Sequence, residues 1–360
     1  MSDSTTETRR DRSRKSKAIR RLVIFGIAIS LIIGASAYAN RSLVRQWLDN
    51  ISGSEFSGKG ATGTTFVVNR GDDGTVIAKQ LVSLGITKEY SSTLRHIYAS
   101  NPTFFPGTYL LPKEISTDEA IRILTDPSNM VVNKVMIREG LRLPSVLTAL
   151  ASGTGIQKSD LVSASKDLSS FDIPKSAPSL EGYLFPATYS FSPGLNAHEV
   201  LAAMVARTKE QLTKDGVAKK DWHKVLTLAS VIQMEARQTP DFYKVSRVFK
   251  NRLAIGMHLQ SDATVSYGVN GSTVSTSNAD RQDPNRYNTY RYPGLPLGPI
   301  SGAGATAIDA ALNPADGSWL FFCAINLKTG ETVFSTTVAE HEKAVARWRA
   351  WMLENPGWND

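Results

Sequence analysis

This chain of 360 residues is nearly devoid of cysteine: Cys323 stands alone and cannot form an internal bridge, so no disulfide framework holds the fold. Its setting, "WLFFCAI", reads as a buried strand, which makes the thiol a small core group and not a nucleophile. Histidine is also scarce. The five (His96, His198, His223, His258, His341) are scattered without the paired helical spacing of a zinc site, so neither a metal nor any other cofactor is called for. No Gly-x-Ser-x-Gly elbow is present for acyl transfer, and no glycine-rich dinucleotide turn follows a strand. Gly53 to Lys59 imitates the start of a phosphate-binding loop, but Gly60 stands where a magnesium-binding hydroxyl is needed and no strand precedes it. What survives these exclusions is carboxylate chemistry.

Positive charge is concentrated at one end. Residues 1–21 hold eight basic and three acidic side chains, a net +5 out of the overall +8. The remaining +3 is too little for a nucleic-acid-binding face, so nucleic acid is excluded as a partner. The basic tail runs into Leu22 to Asn40, an uncharged apolar run of 19 residues, the length of a membrane span. Charge asymmetry places the N-terminus in the cytoplasm and the bulk outside. Ala37-Tyr38-Ala39 resembles a signal-peptide cleavage site, but the long basic segment and apolar run favour an uncleaved anchor. Hydrophobic content of 41% and charged content of 21% exclude wholesale disorder and leave room for two domains.

Residues 41–63 read as a flexible Gly/Ser/Thr connector. The pattern then predicts strand, helix, helix and strand in "TTFVVN", "GTVIAKQLVSLG", "KEYSSTLRHIYAS" and "PGTYLLP", with a further helix in "STDEAIRILTD". A β-α-α-β unit of this size suits a small carbohydrate-binding module or a spacer. Beyond residue 129 helices and strands intermix without a regular βαβ repeat, so the class is α+β. There "LEGYLFPATYSF" reads as strand-like, "HLQSDATVSYG" as irregular, and "WLFFCAINLKTGETVFS" as a hairpin.

"TLASVIQMEARQ" carries the candidate acid. Val225, Leu228, Ala229, Ile232 and Ala236 share one apolar stripe at helical spacing, and Glu235 flanks it. Partial desolvation raises a carboxyl pKa, which suits protonation of a glycosidic oxygen; the competing reading is an ion pair with Arg237 or Arg252. The segment 287–304 packs tyrosines, an asparagine and Gly/Pro turns into a long irregular stretch, the usual form of a functional loop. Tyr287, Asn288 and Tyr290 there, with Gln260, Asp262 and Tyr267 upstream, are candidate substrate contacts. Asp262 and Glu181 are the candidates for a second acid; both also suit capping roles.

These stretches resemble the endolytic murein transglycosylase (YceG-like) family over residues 64–350. The resemblance is carried by "EGLRL", "LEGYLFPATY", "LASVIQMEA", "NRLAIGMHLQSDATVSYG", "YNTYRYPGLPLGPI" and "AIDAALNP", in that order. Departures from the family pattern are Gln233, Ala187, Ala263, Leu297 and the sequence "SGAG" at 301–304. The family implies a single N-terminal transmembrane helix, a LysM-like module over 64–128, a catalytic domain over 129–350 and a tail over 351–360. It places the catalytic acid at Glu235. It further implies cleavage of the MurNAc–GlcNAc β-1,4 bond of peptidoglycan glycan strands to 1,6-anhydro ends, at the outer face of the bacterial inner membrane. Cell-wall synthases are the candidate protein partners. A non-catalytic scaffold and a hydrolytic muramidase are the competing readings.

Overall fold

The computed structural model describes residues 40–41, 43–44, 53–58, 60, 63–271 and 276–357. Tail residues 1–21 and the expected anchor, apart from Asn40, lie outside them; among the described residues no helix is long and apolar enough to cross a membrane. The chain divides into two compact units, Met1–Val131 and Val132–Asp360.

In the first unit β1 (Gly63–Val68) pairs antiparallel with β2 (Gly107–Pro112), Phe66 opposite Tyr109. Between them run α1 (Gly74–Ser83) and α2 (Tyr90–Ser100), and α3 (Thr117–Leu124) follows. Helix starts are chemically marked. Asp73 accepts from the N–H groups of Thr75 and Val76, both at 2.9 Å, and Ser116 accepts from Glu119 at 3.3 Å. One strand face and the inner helix stripes bury Phe66, Ile77, Leu81, Tyr109, Leu111 and Leu124. Residues 41–63 depart in part from the expected free connector. Glu55 is buried, accepting from Thr117 N (2.8 Å), Thr117 Oγ1 (2.7 Å) and Ser92 Oγ (3.0 Å). The N-terminus of α3 offers unpaired N–H groups, and a carboxylate from the connector satisfies one of them.

The second unit is mixed α and β, with antiparallel strand pairs and many helices. β3 (Asn133–Met136) pairs with β4 (Thr188–Phe191). Only those last four residues of "LEGYLFPATYSF" are strand; Gly182 sits at φ +78° and turns the chain before it can extend. Between the strands lie α4 (Leu143–Thr154) and α5 (Lys158–Lys166); α6 (Ala197–Lys214) follows, opened by an Asn196–Glu199 capping box.

At the centre lies α7 (Trp222–Glu235), with Leu226 to Ile232 all buried. It is enclosed on several sides, not along a single stripe, because α8 (Thr239–Ala254), α9 (Asp262–Gly268) and α11 (Ala305–Leu312) all pack on it. The helix α9 falls within a stretch expected to be irregular. A short α10 (Asn278–Gln282) lies between α9 and α11. The hairpin β5 (Phe321–Asn326) and β6 (Glu331–Ser335) is covered by α12 (Val338–Glu354). Helix α12 extends past residue 350 into the expected tail. Cys323 is half-buried, less enclosed than its apolar neighbours implied, because this sheet has only two strands.

Candidate active site

Glu235 is the last residue of α7. A helix C-terminus carries partial negative charge and so disfavours a carboxylate beside it. The carboxyl sits in a pocket of about 380 Å³ with Phe249, Arg252, Leu259, Gln260, Ser261, Asp262, Tyr290, Phe321, Phe322 and His341. Part of Glu235 reaches solvent, yet protein atoms surround its carboxyl. Burial is the largest influence on it and raises the pKa; the nearby Asp262 charge adds to the rise. Ser261 Oγ, which donates to Oε1 at 2.5 Å, and the Arg252 charge oppose it without reversing it. The pocket therefore holds a carboxylic acid that keeps its proton above the ordinary range.

Neither expected ion pair forms. Arg237 Nη1 donates to Leu327 O at 2.9 Å on the β5–β6 turn. Arg252 is buried and donates to the carbonyls of Leu320 (2.6 Å) and Leu259 (2.7 Å), so its charge acts on Glu235 without a salt bridge.

Of the other candidate residues, Gln260, Asp262 and Tyr290 join Glu235 in this pocket. Asp262 is already engaged: Arg281 reaches both its oxygens (3.2 and 3.1 Å), and Thr276 donates at 2.5 Å. Tyr290 carries the Arg281 guanidinium over its ring at 4.9 Å; burial and the Asp262 charge raise its pKa. Gln260 is exposed and holds φ +52°, a strained left-handed conformation for a residue other than glycine. Its N–H is tied to Thr289 O at 3.1 Å, and Ser261 N to Thr289 Oγ1 at 3.0 Å. Thr289, which the sequence reading passed over, is thus the brace that presents Gln260 and Ser261.

Glu181, Tyr267 and Tyr287 lie near one another outside this pocket lining, where burial and the Glu181 charge raise the Tyr267 pKa. Glu181 is buried, and burial pushes its carboxyl up to about 7. Both its oxygens accept from Leu143 N at 3.0 Å, so it caps α4, the structural role anticipated for it. The rings of Tyr267 and Tyr287 lie 4.7 Å apart, with Arg142 over Tyr267 at 5.3 Å. Asn288 is fully buried. Its side-chain nitrogen donates to Arg281 O (3.0 Å) and Asp283 O (2.8 Å), and its oxygen accepts from Tyr290 N (3.0 Å). Asn288 therefore shapes the loop that carries Tyr290 and lies behind the pocket.

Several sequence motifs converge around α7. Ser230 Oγ accepts from Ile300 N at 3.0 Å, and Gln233 Oε1 accepts from Gly304 N at 2.9 Å. Gly140 N donates to Gly302 O (2.8 Å) and Gly302 N to Leu141 O (2.9 Å), joining "EGLRL" to "SGAG". A second, more apolar pocket lies among Leu143, Pro144, Leu147 and Val162, but no carboxyl lines it. Among the described residues, no cluster of histidine, cysteine or acidic side chains could hold a metal ion.

A model of the YceG-like family matches residues 66–347. The chain belongs to that family. It is 32% identical over 274 residues to an endolytic murein transglycosylase of Bacillus subtilis, covering 70% of this chain and 75% of that protein. It is 27% identical over 306 residues to the endolytic murein transglycosylase of Streptococcus pneumoniae serotype 2, covering 73% of this chain and 55% of that one. The crystal structure of a yceG-like protein from Listeria monocytogenes superposes with a TM-score of 0.52 at 30% identity, over 79% of this chain and 99% of that one.

The family motifs fix the neighbourhood of Glu235 but not every wall of its pocket. Ser261 lies inside the "NRLAIGMHLQSDATVSYG" motif, where its spacing alone does not tie it to Glu235. Phe321, Phe322 and His341 lie 86, 87 and 106 residues downstream, where no spacing rule links them to Glu235.

Proposed function

We propose that this protein is a lytic transglycosylase that cuts the MurNAc–GlcNAc β-1,4 bond of peptidoglycan, with Glu235 serving first as acid and then as base. The relatives' names support the reaction class. The observation that carries the mechanism is the setting of the two pocket carboxyls: Glu235 is desolvated, which raises its pKa, while Asp262 is held by Arg281 and Thr276. Glu235 donates its proton to the bridging oxygen as the C1–O bond breaks and positive charge builds at the anomeric carbon. The C6 hydroxyl of the same MurNAc then attacks C1, and its proton returns to the Glu235 carboxylate. Ring closure replaces water, so one titrating carboxyl suffices where ordinary glycoside hydrolysis uses two.

Gln260 and Tyr290 line the cleft where the sugar rests, and the Asp262 charge favours the developing cation. Tyr267 and Tyr287 extend the aromatic surface. Residues 22–40 anchor the chain in the inner membrane with the N-terminus cytoplasmic, and residues 64–128 act as a LysM-like glycan-contacting module. Cutting within nascent strands, beside cell-wall synthases, is the setting that this topology suits.

The test is digestion of uncrosslinked glycan by the full-length protein in detergent, with mass spectrometry of the fragments. Anhydro-ended products are expected. Reducing ends would replace this mechanism by hydrolysis, the alternative that Asp262's presence in the pocket keeps in view; intact strands co-sedimenting with the protein would reduce it to a scaffold.

A further inference from the structure

The pocket has a wall that the mechanism above leaves unused. His341 stands on α12 and lines the same pocket as Glu235, and its ring stacks on Phe321 with centroids 5.2 Å apart at 21°. The Arg252 guanidinium lies over the same Phe321 ring at 5.4 Å. Stacking sets the plane of the imidazole, and the hydrogen bond from His341 N to Thr337 O (3.1 Å) fixes its backbone in the first turn of the helix.

The other polar groups of this lining are largely engaged with one another. Glu235 takes the Ser261 hydroxyl, Asp262 takes Arg281 and Thr276, and Arg252 is spent on two carbonyls. Among the described residues, His341 Nδ1 is buried and has no hydrogen-bond partner. Native proteins rarely leave such an atom unpaired, and where they do a ligand or water normally completes it. Burial and the Arg252 charge push the His341 pKa down against the opposing pull of Glu342, so the ring is neutral near pH 7. A neutral imidazole nitrogen accepts from a hydroxyl or amide N–H, or in the other tautomer donates to an oxygen. A sugar with hydroxyl and acetamido groups offers both.

We propose that His341 is a substrate-positioning residue: a half-turn of its ring about Cβ–Cγ, which keeps the stack on Phe321, brings the unpaired Nδ1 out of its buried position to pair with a hydroxyl or acetamido group of the sugar seated against Glu235. The assignment rests on the glycan-cleaving reading of this pocket. It makes α12 and the β5–β6 hairpin part of the site alongside the motif-bearing loops. A neutral side chain suits the task, since a second cation here would oppose the positive charge that develops at the anomeric carbon.

Full-length protein in detergent, its His341→Phe and His341→Asn variants, and Glu235→Gln as reference provide the test. Phenylalanine keeps the stack and deletes the nitrogen; asparagine loses the stack but places an amide close to the Nδ1 position. Expected is a fall of about tenfold in kcat/KM for His341→Phe, carried by KM, with recovery to within about threefold of wild type in His341→Asn. In the Glu235→Gln background, His341→Phe should weaken binding of an uncut glycan oligomer by a similar factor. A His341→Phe enzyme that matches wild type in kcat, KM and binding overturns the assignment alone, provided that wild type cleaves and Glu235→Gln does not. Wild-type protein that cleaves nothing overturns the functional reading and takes this assignment with it. Equal losses in both His341 variants, with lowered melting temperatures, make the residue structural and also overturn it.

Discussion

Ser261 Oγ donates a 2.5 Å hydrogen bond to Glu235 Oε1, joining the start of α9 to the end of α7. The serine favours the ionised form of an acid whose pKa burial raises. Proton affinity at this site is therefore a balance struck by named neighbours, and each can be altered separately.

Replacing Glu235 by glutamine keeps an acceptor for Ser261 and removes the transferable proton. Glycan cleavage should fall by at least about a thousandfold, while the melting temperature and circular dichroism stay at wild-type values. Release of anhydro-muropeptides at an undiminished rate by folded E235Q would end the single-acid mechanism.

Two substitutions beside Glu235 should move its titration in opposite senses. In the proposed mechanism cleavage requires the protonated acid, so kcat/KM should be flat at low pH and fall as pH rises through the Glu235 pKa. Ser261→Ala removes a contact that lowers this pKa, so the alkaline limb moves to higher pH. Asp262→Asn removes a charge that raises it, so the limb moves to lower pH. Profiles of kcat/KM for the three proteins should rank Ser261→Ala above wild type above Asp262→Asn.

Glu181 should leave its mark on stability. Its carboxyl rises from 4.5 to about 7 on folding, so the folded state favours the protonated form. The stabilisation this provides is complete below pH 4.5 and is lost as pH climbs through 7, a change of roughly 3 kcal/mol across the window. Glu181→Gln, which keeps an acceptor for Leu143 N, should flatten that part of the curve. Denaturant titrations of both proteins between pH 4 and 8 give the difference directly.

Gly182 is conformationally irreplaceable. Its φ is +78°, and a Cβ there would lie 2.3 Å from Pro299 Cβ, a rigid neighbour in the "GLPLGPI" loop. Gly182→Ala should cost roughly 2–4 kcal/mol through backbone strain and overpacking, lowering the melting temperature by roughly 5–15 °C. A thermal scan within 2–3 °C of wild type, less than about 1 kcal/mol for a domain of this size, would mean that the turn relaxes at little cost.

Much of the architecture was legible in the chain. Helical periodicity located α1 and α3 to within a few residues, and the hairpin expected in "WLFFCAINLKTGETVFS" forms, with Gly330 at φ +77° in its turn. The failures share a cause. "LEGYLFPATYSF" reads as strand by composition, but Gly182 and the Pro299 contact turn its first half. α7 reads as amphipathic with one stripe, whereas helices packing from several directions bury Thr227 and Ser230 too. Glu55, in a stretch that reads as connector, is drawn in by the open N–H groups of a helix 62 residues away.

The sequence by itself determined most of the elements, the family and the candidate acid, because periodicity, caps and motif order are local properties of neighbouring residues. Only the tertiary structure decided which candidates meet. It put Gln260, Asp262 and Tyr290 beside Glu235, set Glu181 under a helix end, turned Asn288 inward and brought His341 to the pocket wall. Desolvation is the physical reason. A carboxyl's proton affinity depends on every atom packed around it, and those atoms come from segments as far apart as residues 235 and 341.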